Sequence, residues 1–143
     1  MTPEQIALVQ DSLEALGPRV DVVVERFYHH LFELDPSIAK LFSEDPAVQR
    51  RKFEVELRQI IKAISGFDEF AARAHDLGIR HAGYGVRARH YQMVGESLLW
   101  SLSSVLEDDF NSPTAEAWRQ AFDLIAEAMM AAAAEDAMAD DVS

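Results

Sequence analysis

Five histidines, at positions 29, 30, 75, 81 and 90, and no cysteine bound the chemistry open to this chain. Without thiols, disulfides, zinc knuckles, iron–sulfur clusters and cysteine nucleophiles fall away together, so a metal ligand must be His, Met, Tyr or a carboxylate. His29 and His30 are adjacent and diverge by about 100° on a helix, too far to grip one ion together. His75 and His81 are six apart, not at the three- or four-residue spacing that puts two ligands on one helix face, which leaves a zinc site without support. His81 differs in its setting. It closes an amphipathic segment carrying Phe70, Ala74, Leu77 and Gly78, and the loop Ala82-Gly83-Tyr84-Gly85-Val86 follows. A ring at a helix end can point into a cleft. The Leu77 carbonyl, four residues earlier, is placed to accept one imidazole N–H, which fixes the tautomer and leaves the other nitrogen free for a metal. Gln49 stands 32 residues before His81, with Tyr28 and Phe42 upstream, a spacing that suits one buried cofactor. Taken alone, Tyr28 and Phe42 also read as core aromatics and Gln49 as a solvated helix residue.

Helices must position these groups. Thr2-Pro3, Asp35-Pro36, Asp45-Pro46 and Ser112-Pro113 each put a capping oxygen before a proline, the order expected at a helix start, and Gln5 completes a capping box with Thr2. Gly17-Pro18 ends one helix and begins the next, while Gly66 and the Gly83/Gly85 pair supply later breaks. Ile6, Val9, Leu13 and Leu16 form one helical stripe, and Trp118, Phe122, Ile125 and Met129 another; strand alternation is absent. The pattern predicts an all-α fold with helices near 3–16, 18–33, 36–42, 46–64, 68–81, 87–107 and 113–134, and an acidic tail, 135–143, that frays.

A length of 143 residues with 49% hydrophobic side chains suits a single domain, 1–143, with a sizeable core. The net charge of −12 argues against nucleic acid as a partner, because phosphate neutralisation needs a basic face. No apolar run approaches a membrane span, and the first residues have neither a basic stretch nor an apolar one, so a soluble, cytoplasmic protein is expected. The charge is uneven: residues 40–89 hold ten of the thirteen basic residues and seven of the twenty-five acids, a balance of +3. That stretch is either a solvated helix face or a surface that meets something anionic.

Phe27-Tyr28, Leu31-Phe32, Pro36, Leu41-Phe42, Gln49-Arg50-Arg51-Lys52-Phe53, Leu77-Gly78-Ile79-Arg80-His81, Tyr84-Gly85-Val86, Tyr91 to Leu99 and Ala117-Trp118 occur in that order. In this order, with an ungapped interval from Gln49 to His81, the chain resembles bacterial single-domain globins, the haem domain of flavohaemoglobins and neuroglobin. The resemblance runs from about Ile6 to Met130 and implies a globin fold, a three-on-three helical sandwich around haem b (iron protoporphyrin IX). It makes His81 the proximal iron ligand and Tyr28 and Gln49 the distal hydrogen-bonding groups. Phe42 then packs on the haem face and Phe53 on the distal wall. Leu77 is expected to orient the ligand, and Val86, Tyr91, Val94 and Leu98 to border the haem, although core packing alone also explains the aliphatic ones. Lys52 and Arg80 could pair with the propionates, for little energy where exposed. Gln49 is a poor iron ligand, so bis-histidyl ligation is not expected.

Two departures from that family stand out. Flavohaemoglobins place a glutamate beside the proximal histidine and a tyrosine; Tyr91 matches the tyrosine, but Ala133 occupies the glutamate's position and Glu135 falls on another helix face. A weaker electron donor follows, and with it poorer peroxide chemistry. Phe53, where relatives often have a smaller aliphatic, narrows the distal pocket. The resemblance supports two functions: reversible binding of dioxygen, with nitric oxide and carbon monoxide as further small ligands, or a nitric oxide dioxygenase needing a separate flavin reductase docked on the basic 40–89 region. The protein is expected to be a monomer or homodimer.

Overall fold

The computed structural model describes the chain from Met1 to Val142, with side chains to residue 139. The Thr2 side chain accepts from the Gln5 amide at 3.1 Å and the Gln5 side chain accepts from the Thr2 amide at 3.0 Å, so the capping box opens α1, Pro3–Leu16. Gly17, at φ 53°, ends it, a conformation glycine adopts without a Cβ penalty. After a 3-10 turn come α2, Val20–Leu34, and a 3-10 segment, Pro36–Leu41. Asp45 caps α3, Pro46–Ala63, by accepting from the Ala47 amide at 2.9 Å. Gly66 opens α4, Phe67–Gly83, and α5, Ala88–Leu106, and α6, Ser112–Val142, complete the fold.

The two apolar stripes meet in the core. Val9, Leu13 and Leu16 of α1 are buried, as are Trp118 and Met129 of α6, and the Trp118 indole N–H donates to Ser12 Oγ at 2.8 Å, locking α1 on α6. Each such side chain contributes about 1.5–3 kcal/mol of burial. α2 packs on α5 and α3, α4 packs on α6 and α3, and α6 also packs on α1 and α5. This is the three-on-three sandwich of a globin fold. Gly78 is what lets α4 lie so close to α6: a Cβ there would sit 2.2 Å from the Met129 carbonyl oxygen.

Four sequence expectations need correction. The segment expected as helix 36–42 is 3-10 and stops at Leu41, leaving Phe42 extended at φ −109°, ψ 106°. A run of six residues between Asp35 and Phe42 is too short for its apolar spacing to separate a three-residue turn from a 3.6-residue one. Asn111, not Ser112, caps α6, its side-chain oxygen accepting from the Thr114 amide at 3.1 Å. The second helix begins at Val20, after the 3-10 turn Gly17–Arg19, rather than at 18. Finally, α6 continues through Val142 instead of ending near 134, because Ala131–Ala134, Ala137 and Ala139 are strong helix formers with no glycine or proline among them; Ser143 lies outside the described residues.

Candidate cofactor site

The last turn of α4 carries His81. Its Nδ1 donates to the Leu77 carbonyl at 2.7 Å, the i−4 contact expected from the sequence, so Nε2 is left bare. Burial holds the imidazole pKa below its usual range and the Arg80 guanidinium adds to this, while the Leu77 carbonyl and the Glu56 carboxylate oppose it. The ring is therefore neutral at pH 7, the form that ligates a metal. The loop behind it is closed by the His81 carbonyl, which accepts from the Tyr84 and Val86 amides at 3.1 Å each. Gly85, at φ 91°, brings that loop against Leu41.

Tyr28 of α2 occupies an aromatic cage. Its ring centroid lies 5.0 Å from Phe27, 5.5 Å from Phe42, 5.6 Å from Phe53 and 5.8 Å from Phe32, mostly edge to face. Phe42 reaches it because the extended backbone at the end of the 3-10 segment turns the ring inward. Phe27 stacks on Phe53 at 4.5 Å and 20°, which pins α2 to α3. Burial pushes the Tyr28 pKa up to about 12, against opposing pulls from the Gln49 side chain and the Arg50 charge. The hydroxyl thus stays protonated and able to donate, and Gln49, half-buried and one turn before Phe53, is the amide beside it.

The remaining sequence-derived residues divide. Leu77 and Leu98 are buried, and Val86, Tyr91 and Val94 half-buried. Tyr91 lines a cleft of about 280 Å³ with Phe122, Ala126 and Met130 of α6. Ala133 is half-buried and Glu135 exposed, so neither brings a carboxylate into the interior. Lys52 is paired with Glu44, and Arg80 with Asp76 at 3.0 Å and Glu56 at 3.4 Å. Both cations are held by the protein's own carboxylates. Sequence reasoning gave no site role to Phe27, Phe32 or Glu56. Phe32 is visible as the residue four after Tyr28 and Glu56 as the residue seven after Gln49 on the same face, whereas Phe27, directly before Tyr28, is not placed against it by helical spacing.

A neutral imidazole with one nitrogen committed and the other bare, together with an apolar aromatic cage around a phenol that an amide adjoins, is a donor set that fits haem. Residues 25–129 match the family profile described as Globin. The chain belongs to the globin family. Among its relatives, a flavohemoprotein of Xylella fastidiosa (strain Temecula1) is 28% identical over 128 residues, covering 87% of this chain and 32% of the relative. Neuroglobin of Danio rerio is 28% identical over 136 residues, covering 85% of this chain and 86% of the relative. This globin therefore spans about a third of the length of the flavohemoproteins it matches and most of the length of neuroglobin. Among solved structures, an engineered carbene transferase derived from a candidate nitric oxide dioxygenase of Rhodothermus marinus superposes with a TM-score of 0.87 at 26% identity, over 97% of both chains. A bacterial globin of Campylobacter jejuni superposes with a TM-score of 0.82 at 23% identity, over 94% and 97% of the two chains, a likeness of fold.

Proposed function

We propose that this globin binds haem b through His81 Nε2 and holds dioxygen reversibly, with Tyr28 and Gln49 as the groups that retain it. The observation that carries this reading is the 2.7 Å bond from His81 Nδ1 to the Leu77 carbonyl, which fixes the ligating tautomer of a neutral imidazole. Haem supplies the ferrous iron at which dioxygen, nitric oxide or carbon monoxide binds. The chain's own residues do the rest. Leu77 orients the His81 ring; Phe42 and Phe53 shape an apolar space and exclude water; Tyr28 keeps its proton and offers it as a hydrogen bond, with the Gln49 amide as a second donor. Val86, Tyr91, Val94 and Leu98 border the cofactor; Lys52, by exchange from Glu44, and Arg80, through the guanidinium nitrogens that Glu56 and Asp76 leave free, offer cations to its carboxylates.

A donor acting on a ligand that carries partial charge stabilises it by about 1.5–3 kcal/mol, so Tyr28→Phe and Gln49→Leu should each speed dioxygen dissociation roughly tenfold or more. Stopped-flow displacement of dioxygen by carbon monoxide measures this. Unchanged rates in both variants would remove the distal assignment.

A second reading is a nitric oxide dioxygenase that oxidises nitric oxide to nitrate and is re-reduced by a separate flavin reductase. Arg50 and Arg51, which line a cleft with Asp21 and Val24 and are in no ion pair among the described residues, favour it by offering cations to an acidic partner.

A further inference from the structure

Glu56 lies on the face of α3 that carries Gln49 and Phe53, and it is half-buried, with Oε2 out of contact with solvent. It crosses to α4. Oε1 accepts from Arg80 Nη2 at 3.4 Å, and Arg73 Nη1 stands 4.0 Å from Oε2. Every described ion pair between α3 and α4 runs through this one side chain. Arg80 adjoins His81 in sequence and is also held by Asp76, so the last turn of α4 is tied at two points to carboxylates. Arg73 is committed to Gln59 Oε1 at 2.7 Å, which brings a second residue of α3 into the same cluster.

One detail makes this more than a fixed strut. Glu56 Oε2 and Arg73 Nε are both buried and make no hydrogen bond, a costly arrangement for two charged groups. Oε2 already stands 4.0 Å from Arg73 Nη1, so a closer approach to Arg73 would set that cation in competition with Arg80 for the one carboxylate. Glu56 thus has two places to go, one of which grips the turn that bears His81.

We propose that Glu56 is a positioning residue that couples the two sides of the haem pocket, tying Arg80 and the end of α4 to the helix that carries Gln49 and Phe53. The proposal rests on the haem-binding reading. A displacement of the His81 turn is then felt at Gln49, and a displacement of α3 is felt at His81, through a pair of groups that can exchange partners.

The test is a double-mutant cycle on the haem-loaded protein: wild type, Glu56→Gln, Arg80→Gln and the double variant. Two quantities are read on each, the iron–histidine stretching band of the ferrous protein by resonance Raman and the dioxygen dissociation rate. Glu56→Gln should shift the band and change the dissociation rate by about two- to tenfold, the lower part of the range for residues in one ion-pair network. In the Arg80→Gln background it should do nothing further, because its effect passes through Arg80. Glu54→Gln, which breaks a 3.5 Å pair with Arg58 inside α3, should leave both readouts in place. An unmoved band and rate in Glu56→Gln overturn the coupling, as does an effect of undiminished size in the Arg80→Gln background. If no variant, wild type included, develops a Soret band on addition of haem, the haem reading fails and the coupling with it; a normal Soret band with unmoved readouts sinks the coupling alone.

Discussion

A phenol enclosed by four phenyl rings keeps its proton at a pH where an ordinary tyrosine has lost it. Tyr28 ionises near 10 when the chain is unfolded and at about 12 when folded. Its contribution to stability is fully present below pH 10 and is lost as pH rises through 12, because between those values the unfolded state releases a proton that the folded state retains. The loss amounts to about 2–3 kcal/mol. Urea unfolding at about pH 9 and about pH 12 should show the wild type losing that much more stability than Tyr28→Phe; parallel losses would mean that the phenol is not sequestered. The chemistry at this scale is legible in the sequence where it is local. His81 and its Leu77 acceptor are one helical turn apart, and Gln49 and Phe53 share a face by spacing alone. The partners of Lys52 and Arg80 are not legible in the same way. Glu44 lies eight residues from Lys52, in the preceding loop, and Glu56 lies 24 residues from Arg80, on another helix. No periodicity reports such a pairing.

At the scale of helices, the site depends on how closely α4 lies on α6. A Cβ at Gly78 would fall 2.2 Å from a backbone oxygen, so the helices must part to accept it. Gly78→Ala should cost about 1–3 kcal/mol or more of stability and should weaken haem retention, since His81 sits three residues further along the displaced helix. Gly83 is the control: nothing lies within 4 Å of where an alanine methyl would stand, and Gly83→Ala should be neutral or gain up to about 1 kcal/mol. Thermal melts of the two variants measure the contrast, and equal stabilities would deny the close approach. Most helix starts are legible because proline after a capping residue is a local signal, as at Thr2-Pro3 and Asp45-Pro46. Ends are harder. Glu135 and Asp136 suggest a fraying tail by charge, but the alanines around them hold α6 helical to Val142. Ser112 looks like a cap by type, yet Asn111 does the capping, since either residue satisfies the same spacing rule within one position.

For the molecule as a whole, charge and fold point to different questions. Among the described residues no helix is long and apolar enough to cross a membrane. The net charge of −12 is offset locally by the basic stretch 40–89, where Lys52, Arg58, Arg73 and Arg80 are paired with acids but, among the described residues, Arg50 and Arg51 are not. If those two receive an acidic flavin reductase, Arg50→Glu with Arg51→Glu should slow reductase-driven reduction roughly tenfold at low ionic strength and much less at high salt. Equal rates at low salt would leave the pair as a solvated face. The order of aromatic, glutamine and histidine positions along the chain is enough to recognise the fold, but not the choice between carrying dioxygen and consuming nitric oxide, which depends on how fast electrons arrive. The proximal bond comes before either. Titration of the haem-free protein with ferric haem, followed by reduction and exposure to carbon monoxide, should give a Soret band that saturates at one haem per chain in the wild type and is lost or severely weakened in His81→Ala. A wild type with no such band, or a His81→Ala variant with the same band and the same affinity, would contradict the assignment of His81 as the iron ligand.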